Sequence, residues 1–255
     1  MTTRRGSGHV MQRTARLVGA AGASAGLAHA LPAATSLPSL RRQLFPGLAG
    51  IGTPEHVALT FDDGPDPVST PHFLRLLERC GIHATFFLLG RMAVRAPHMV
   101  AQIRDAGHEI GLHGYDHRCL LVRGPGETFD DLIRGRDALV AAGAAPPRWY
   151  RPPYGVLTTA ATIAAARLEL RPVLWTAWGR DWSVRATPSS VFSTVAKDLR
   201  GGGTILLHDS DCTSALGSWK NTLAALPRLL EHCDRRMWTV GPLRDHQVSE
   251  PAPRR

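Results

Sequence analysis

The amino-acid sequence predicts an α/β protein built as a parallel sheet or distorted (β/α) barrel of about seven units, and three observations carry that expectation. From His56 onward, short apolar runs of strand character alternate with segments of helical spacing. Residue types suited to catalysis fall directly after those runs, at the strand ends where such folds keep their active sites. A chain of 255 residues, 44% hydrophobic and 20% charged, holds enough apolar mass for one sizeable core. The absence of repeats and a mean hydropathy of −0.10 exclude collagen-like, coiled-coil and disordered classes. No run of about 18 apolar residues exists, so no membrane-spanning helix is expected.

The elements follow in order. Val57–Phe61 reads as a buried strand ending in the turn Asp63-Gly64-Pro65. Thr70–Cys80 has helical spacing with Leu74, Leu76 and Leu77 as apolar positions, Ala84–Leu89 is a strand, and Pro97–Ala106 a helix. His108–His113 is a third strand, Asp130–Ala142 a helix, Trp149-Tyr150 a short strand, Thr158–Leu168 a helix and Val173–Trp175 a strand. Ser189–Leu199 is a helix with a serine cap, Thr204–Leu207 a buried strand, and Trp219–Leu230 with Arg236–Val240 close the series.

The net charge of +9 is unevenly placed. Residues 1–50 carry six arginines and no acid, leaving 24 basic and 21 acidic side chains in the remaining 205 residues. A nucleic-acid-binding domain carries its basic stripe on the folded surface, so this pattern argues against that function. Met1–Arg16 is polar and basic, Leu17–Ala30 is Ala/Gly-rich and Ala28-His29-Ala30 fits a small-residue cleavage site, the order of a secretory signal. The apolar stretch is weak, and an Ala-rich arm on a cytoplasmic protein fits equally; the location is secreted or cell-envelope in the first case and cytoplasmic in the second. The expected division is an arm over 1–50, a catalytic domain over 51–246 and a tail over 247–255, in a monomer. Cys80, Cys119, Cys212 and Cys233 lack CxxC spacing, which argues against a structural zinc site; they form two disulfides in a secreted chain or stay thiols in a cytosolic one.

A lone Asp after a strand is usually a turn former. Here Asp62 and Asp63 follow the first strand, His113 and His117 the third, Arg151 the fourth, Asp181 and Trp182 the fifth and His208 the sixth, and the clustering is the signal. His113 and His117, four residues apart, have a spacing compatible with chelation. His108-Glu109-x-x-x-His113 imitates a zinc-protease HExxH, but its second His is one residue too far, and on a strand His108 and His113 point to opposite sides.

Taken in order, Thr60-Phe-Asp-Asp-Gly-Pro65, His113-x-x-x-His117, Arg151-Pro-Pro-Tyr154, Asp181-Trp182 and Leu206-Leu-His208 resemble the polysaccharide deacetylase family (the NodB homology domain, or carbohydrate esterase family 4) over about residues 55–243. The resemblance implies a distorted β/α barrel and metal-dependent removal of acetyl groups from amino sugars of a polysaccharide or oligosaccharide. It implies Asp63, His113 and His117 as ligands of a divalent ion, zinc first, with cobalt or another divalent ion able to substitute. It further implies Asp62 as the base that takes a proton from the attacking water, oriented by Arg151, and His208 as the acid, held by Asp181. The Tyr154 amide would receive the oxyanion, and Trp182 and Leu206 would wall the acetyl pocket. Two departures stand out: Gly114 replaces the Ser or Thr that usually follows the first His, and Trp178 replaces the first Asp of the usual Asp-x-x-Asp-Trp. The rival readings are a small-molecule amide hydrolase on the same fold, an O-deacetylase of acetylated xylan and a non-catalytic glycan binder.

Overall fold

The computed structural model of the chain describes residue 24 and residues 26–249. Most of the expected leader, including its whole basic part, lies outside the described residues, while the small-residue stretch 28–30 is helical. The strands are β1 (His56–Asp62), β2 (Thr85–Leu88), β3 (Glu109–Leu112), β4 (Trp149–Tyr150), β5 (Arg171–Pro172), β6 (Ala177–Trp178), β7 (Thr204–His208) and β8 (Thr239–Gly241). All pairings are parallel, in the order β5-β4-β3-β2-β1-β7-β6, and β8 pairs the first half of β1. The helices are α1 (Pro38–Leu44), α2 (Thr70–Cys80), α3 (Gly90–Arg95), α4 (Pro97–Asp105), α5 (Pro125–Ala141), α6 (Thr159–Arg167), α7 (Pro188–Asp198) and α8 (Trp219–Asp234).

Strand alternation builds two cores. Val57, Leu59 and Phe61 of β1, Phe86 and Leu88 of β2 and Ile205 and Leu207 of β7 face outward into the helices, in one large apolar cluster. Their neighbours point inward, where Ala58, Phe87, Trp149 and Val173 form a small second cluster with Leu243 and Val248. The inward series of β1 therefore runs Ala58, Thr60, Asp62 toward the carboxyl end, and that of β7 runs Thr204, Leu206, His208.

Several boundaries depart from the sequence expectation. The helix expected at Asp130 begins at Pro125, because proline suits a first helical turn and the Glu127 carboxylate accepts from the Gly124 amide at 3.0 Å. The cap of α7 is Thr187, whose hydroxyl accepts from the Ser190 amide, and not the serine at 189. α3 was not foreseen. Val173–Trp175 is no strand: Val173 donates to the Tyr150 carbonyl at 2.9 Å and Thr176 to the Thr204 carbonyl at 3.0 Å, so four residues carry the chain from one end of the sheet path to the other.

That seam is covered by the segment expected to be a separate arm. The Leu174 amide donates to the Leu48 carbonyl at 2.7 Å, and the Arg41 Nη2 to the Trp175 carbonyl at 2.8 Å, with Arg41 buried. At the other terminus Val248 is buried and the Ser249 amide donates to the Ile51 carbonyl at 2.9 Å, so residues 247–249 pack on the body; residues 250–255 lie outside the described residues.

Candidate metal centre and active site

Two consecutive carboxylates at the end of β1 reach one site because the strand ends between them. Asp62 keeps the inward direction of the ladder, and Asp63 takes the left-handed conformation at φ 77°, which breaks the alternation. The Asp62 Oδ1 accepts from the Arg151 Nη1 at 2.7 Å, and both side chains are buried. Arg151 is itself fixed, its Nη1 donating to Thr60 Oγ1 at 2.7 Å and its Nη2 to the Leu174 carbonyl at 2.9 Å.

The imidazoles converge on Asp63. His113 Nε2 and His117 Nε2 each lie 3.4 Å from Asp63 Oδ1. His113 Nδ1 lies 2.8 Å from the Arg151 carbonyl, which can only accept, so Nδ1 carries a proton and Nε2 is the nitrogen that faces the carboxylate. His117 reaches the cluster from a left-handed backbone at φ 61°, and the Tyr154 ring lies over it with centroids 4.6 Å apart. Asp63 Oδ1 is buried without a hydrogen-bond partner, whereas Oδ2 accepts from Thr213 Oγ1. An orphaned carboxylate oxygen facing two imidazole nitrogens is costly unless a cation joins them. The three ligand atoms lie within 4.8 Å of one another, and the donor set suits zinc or a similar divalent ion. The residues fit the group.

Electrostatics agree with a cation-seeking site. Burial works to raise the Asp63 carboxyl, but the surrounding His113, His208 and His117 hold it well below the usual range. Burial and the neighbouring His113 lower His117 to about 4, which leaves it neutral near pH 7. Burial also works to lower His113, but Asp62 and Asp63 outweigh it and raise the group.

On the opposite side stands His208. Its Nδ1 lies 2.8 Å from Asp181 Oδ1, and its amide donates to Asp181 Oδ2 at 2.8 Å. Its Nε2 lies 3.9 Å from Asp63 Oδ2. Burial works to lower His208, yet Asp181, aided by Asp63 and Asp62, pushes it up to about 10. Leu206 is buried two residues before it, level with Trp178 across the β6–β7 pair. Trp182 is 46% exposed and stacks on Trp178 with centroids 6.3 Å apart.

Three residues of the site were not anticipated: Thr213, Thr222, which donates to Asp181 Oδ2 at 2.8 Å, and Thr60, which joins Arg151 to the wall. Thr213 follows the last motif on the loop after β7, a position that could have flagged it; Thr222 lies inside α8 and sends no such signal. Cys212 lies at the site, its thiol donating to the Asp63 carbonyl at 3.3 Å, and all four cysteines are free. His108 is excluded as a ligand: its Nδ1 accepts from the Ala84 amide at 3.1 Å.

A polysaccharide deacetylase family profile matches residues 49–173. A chitooligosaccharide deacetylase of Bradyrhizobium sp. is 34% identical over 195 residues, which cover 73% of this chain and 88% of that protein. The chain belongs to the polysaccharide deacetylase family. It is thus a hydrolase of the polysaccharide deacetylase class. A solved peptidoglycan N-acetylglucosamine deacetylase superposes with a TM-score of 0.73 at 27% identity, covering 83% of this chain and 97% of its own. A CE4 family pseudoenzyme from Bacillus anthracis superposes with a TM-score of 0.69 at 25% identity, covering 76% and 65%. Among the described residues no helix is long and apolar enough to cross a membrane.

Proposed function

We propose that this chain is a divalent-metal-dependent N-deacetylase of amino-sugar glycans of the peptidoglycan or chitin type, with zinc as the ion. The observation that carries this reading is the orphaned Asp63 Oδ1 facing His113 Nε2 and His117 Nε2, with an Arg-held carboxylate on one side and an Asp-held imidazole on the other. Bound there, the ion supplies Lewis-acid polarisation of the acetamide carbonyl.

The remaining work belongs to the chain. Asp62, with Oδ1 engaged by Arg151, offers Oδ2 to the proton of the attacking water. The Tyr154 amide, on the stiff Pro152-Pro153 approach, receives the oxyanion. His208 gives the Nε2 proton to the departing amine, while Asp181 holds Nδ1–H and favours the imidazolium. Leu206 and Trp182 receive the acetyl methyl group. The names of the relatives favour a glycan over a small amide, and the presence of base, acid and ligands together favours catalysis over glycan binding alone.

Acetate release from acetylated chito-oligosaccharides, peptidoglycan and acetylated xylan tests this reading with and without a chelator. Release from an amino-sugar glycan, abolished by chelation and restored by zinc, is expected. Full activity in metal-stripped protein, or release from xylan alone, would overturn it.

A further inference from the structure

His117 reaches the metal cluster from a turn with two left-handed residues, Gly114 at φ 83° and His117 at φ 61°. The second is an uncommon conformation for a side chain with a Cβ, so something must hold the turn. Part of the hold is backbone: the Gly90 amide donates to the Gly114 carbonyl at 2.9 Å and the Arg91 amide to the Tyr115 carbonyl at 3.0 Å. The remainder comes from α5, which lies directly beneath the turn; a Cβ on Gly135 would stand 3.0 Å from the Gly114 carbonyl.

From that helix the buried Asp131 reaches up, and its Oδ2 accepts from the Tyr115 amide at 3.1 Å. Arg123 then ties both ends together. Its Nη1 lies 2.7 Å from Asp131 Oδ1, and its Nη2 lies 2.7 Å from each oxygen of Asp116, the residue immediately before His117. The Arg123 side chain is 9% exposed and that of Asp131 5%, so the charge-assisted bond between them is only weakly screened by water. Without it, two carboxylates would face each other under the ligand loop. Gly114 is part of the same device, because a Cβ there would stand 2.8 Å from Asp131 Oδ2. A hydroxyl-bearing residue at 114 and a carboxylate at 131 compete for one space, and this chain has chosen the carboxylate.

We propose that Asp131 and Arg123 are positioning residues of the metal centre, setting His117 in ligating geometry through the amide of Tyr115 and the carboxylate of Asp116. This rests on the metal-ligand reading above. Neither residue touches the ligand atoms; together they lower the cost of ordering the turn on which His117 stands. Groups hydrogen-bonded directly to a ligating side chain carry roughly 10- to 100-fold in metal affinity, and a brace that acts through the backbone of the ligand's turn belongs at the lower end of that range.

Zinc and cobalt(II) affinities of the full chain, measured by competition with a chromophoric chelator, test the proposal beside thermal melting of the metal-free proteins. Asp131→Ala and Arg123→Ala should each weaken zinc binding about tenfold. Asp131→Asn keeps an oxygen for the Tyr115 amide and should recover part of the loss. A merely structural role would lower the melting temperature of the metal-free protein and leave the affinity of the folded fraction unchanged. Should Asp131→Ala not fold, Asp131→Asn and Arg123→Gln carry the same reading. Affinities within twofold of wild type in the folded variants would overturn the brace. A wild-type chain that takes up neither ion would instead overturn the ligand assignment itself, and the brace with it.

Discussion

The barrel has buried polar side chains at both ends, and the two ends treat them differently. At the amino end Glu109 accepts from Trp149 Nε1 at 3.0 Å, from Thr85 Oγ1 at 2.7 Å and from the Arg244 amide at 3.0 Å. There too His246 Nε2 donates to the carbonyls of Gly50 and Gly202, both at 3.1 Å, and its Nδ1 meets His56 Nδ1 at 2.8 Å. Donors and acceptors match and the network is closed. At the carboxyl end the same residue types leave Asp63 Oδ1 open and aim two imidazole nitrogens at it. Closed networks specify structure, whereas an uncompensated convergence marks chemistry. The inventory of histidines and acids does not separate the two ends; the unspent hydrogen-bonding capacity does.

The largest effect that would break this contrast is at β1. Asp63→Asn should lose metal and reduce kcat by more than about 10³-fold, whereas Asp62→Asn should keep metal and reduce kcat by about 10²- to 10⁴-fold. Metal analysis and steady-state kinetics on both variants decide it; equal loss of metal would dissolve the division between ligand and base.

A smaller effect sharpens the contrast at His208. Asp181 holds this imidazole's pKa up, so the alkaline limb of the rate profile reports its deprotonation. Asp181→Asn removes that support and should move the limb to lower pH by roughly one to two units, with a reduced maximum and unchanged metal content. A limb that stays in place, with His208 shown by NMR to be the titrating group, would take this role from Asp181.

The closed end yields the smallest effect, and it is on stability. Burial, with the facing His56, lowers His246 to about 4, against about 6.5 in the unfolded chain. The unfolded state therefore binds the proton first as pH falls. The stability contributed by the neutral pair is whole above about pH 6.5 and declines toward pH 4, by on the order of 3 kcal/mol. A second proton sets two N–H groups against each other across the Nδ1–Nδ1 contact. Thermal melting against pH should show this decline, and His246→Gln should melt lower at pH 8 yet vary less with acid. An unchanged slope in that variant would show that other groups govern acid lability.

Sequence reading reached what depends on local pattern. The ends of β1, β4 and β7 announce Asp62, Arg151 and His208 because apolar runs stop there, and α2 was legible to the residue because its apolar spacing and the following Gly81 agree. Asp131, Arg123, Thr213 and Thr222 stayed hidden because their partners lie on other elements, and no spacing within the chain encodes those contacts. The burial of Arg41 escapes sequence reading for a related reason. An arginine in an Ala/Pro-rich stretch looks solvated until Trp175, 134 residues away, provides the carbonyl that receives it.

Arg151, which aims Asp62, owes two of its own bonds to the seam: Nε donates to the Val173 carbonyl at 3.3 Å and Nη2 to the Leu174 carbonyl at 2.9 Å. Leu174 in turn is hung from Leu48, and Trp175 from Arg41. During synthesis Arg41 and Leu48 must therefore wait for partners more than a hundred residues behind them. Until they meet, the segment that supplies two of the guanidinium's acceptors lacks its outer anchor. The direction of the Asp62 carboxylate is thereby tied, through Arg151, to a contact between residues 41–48 and residues 174–175, far apart in the sequence.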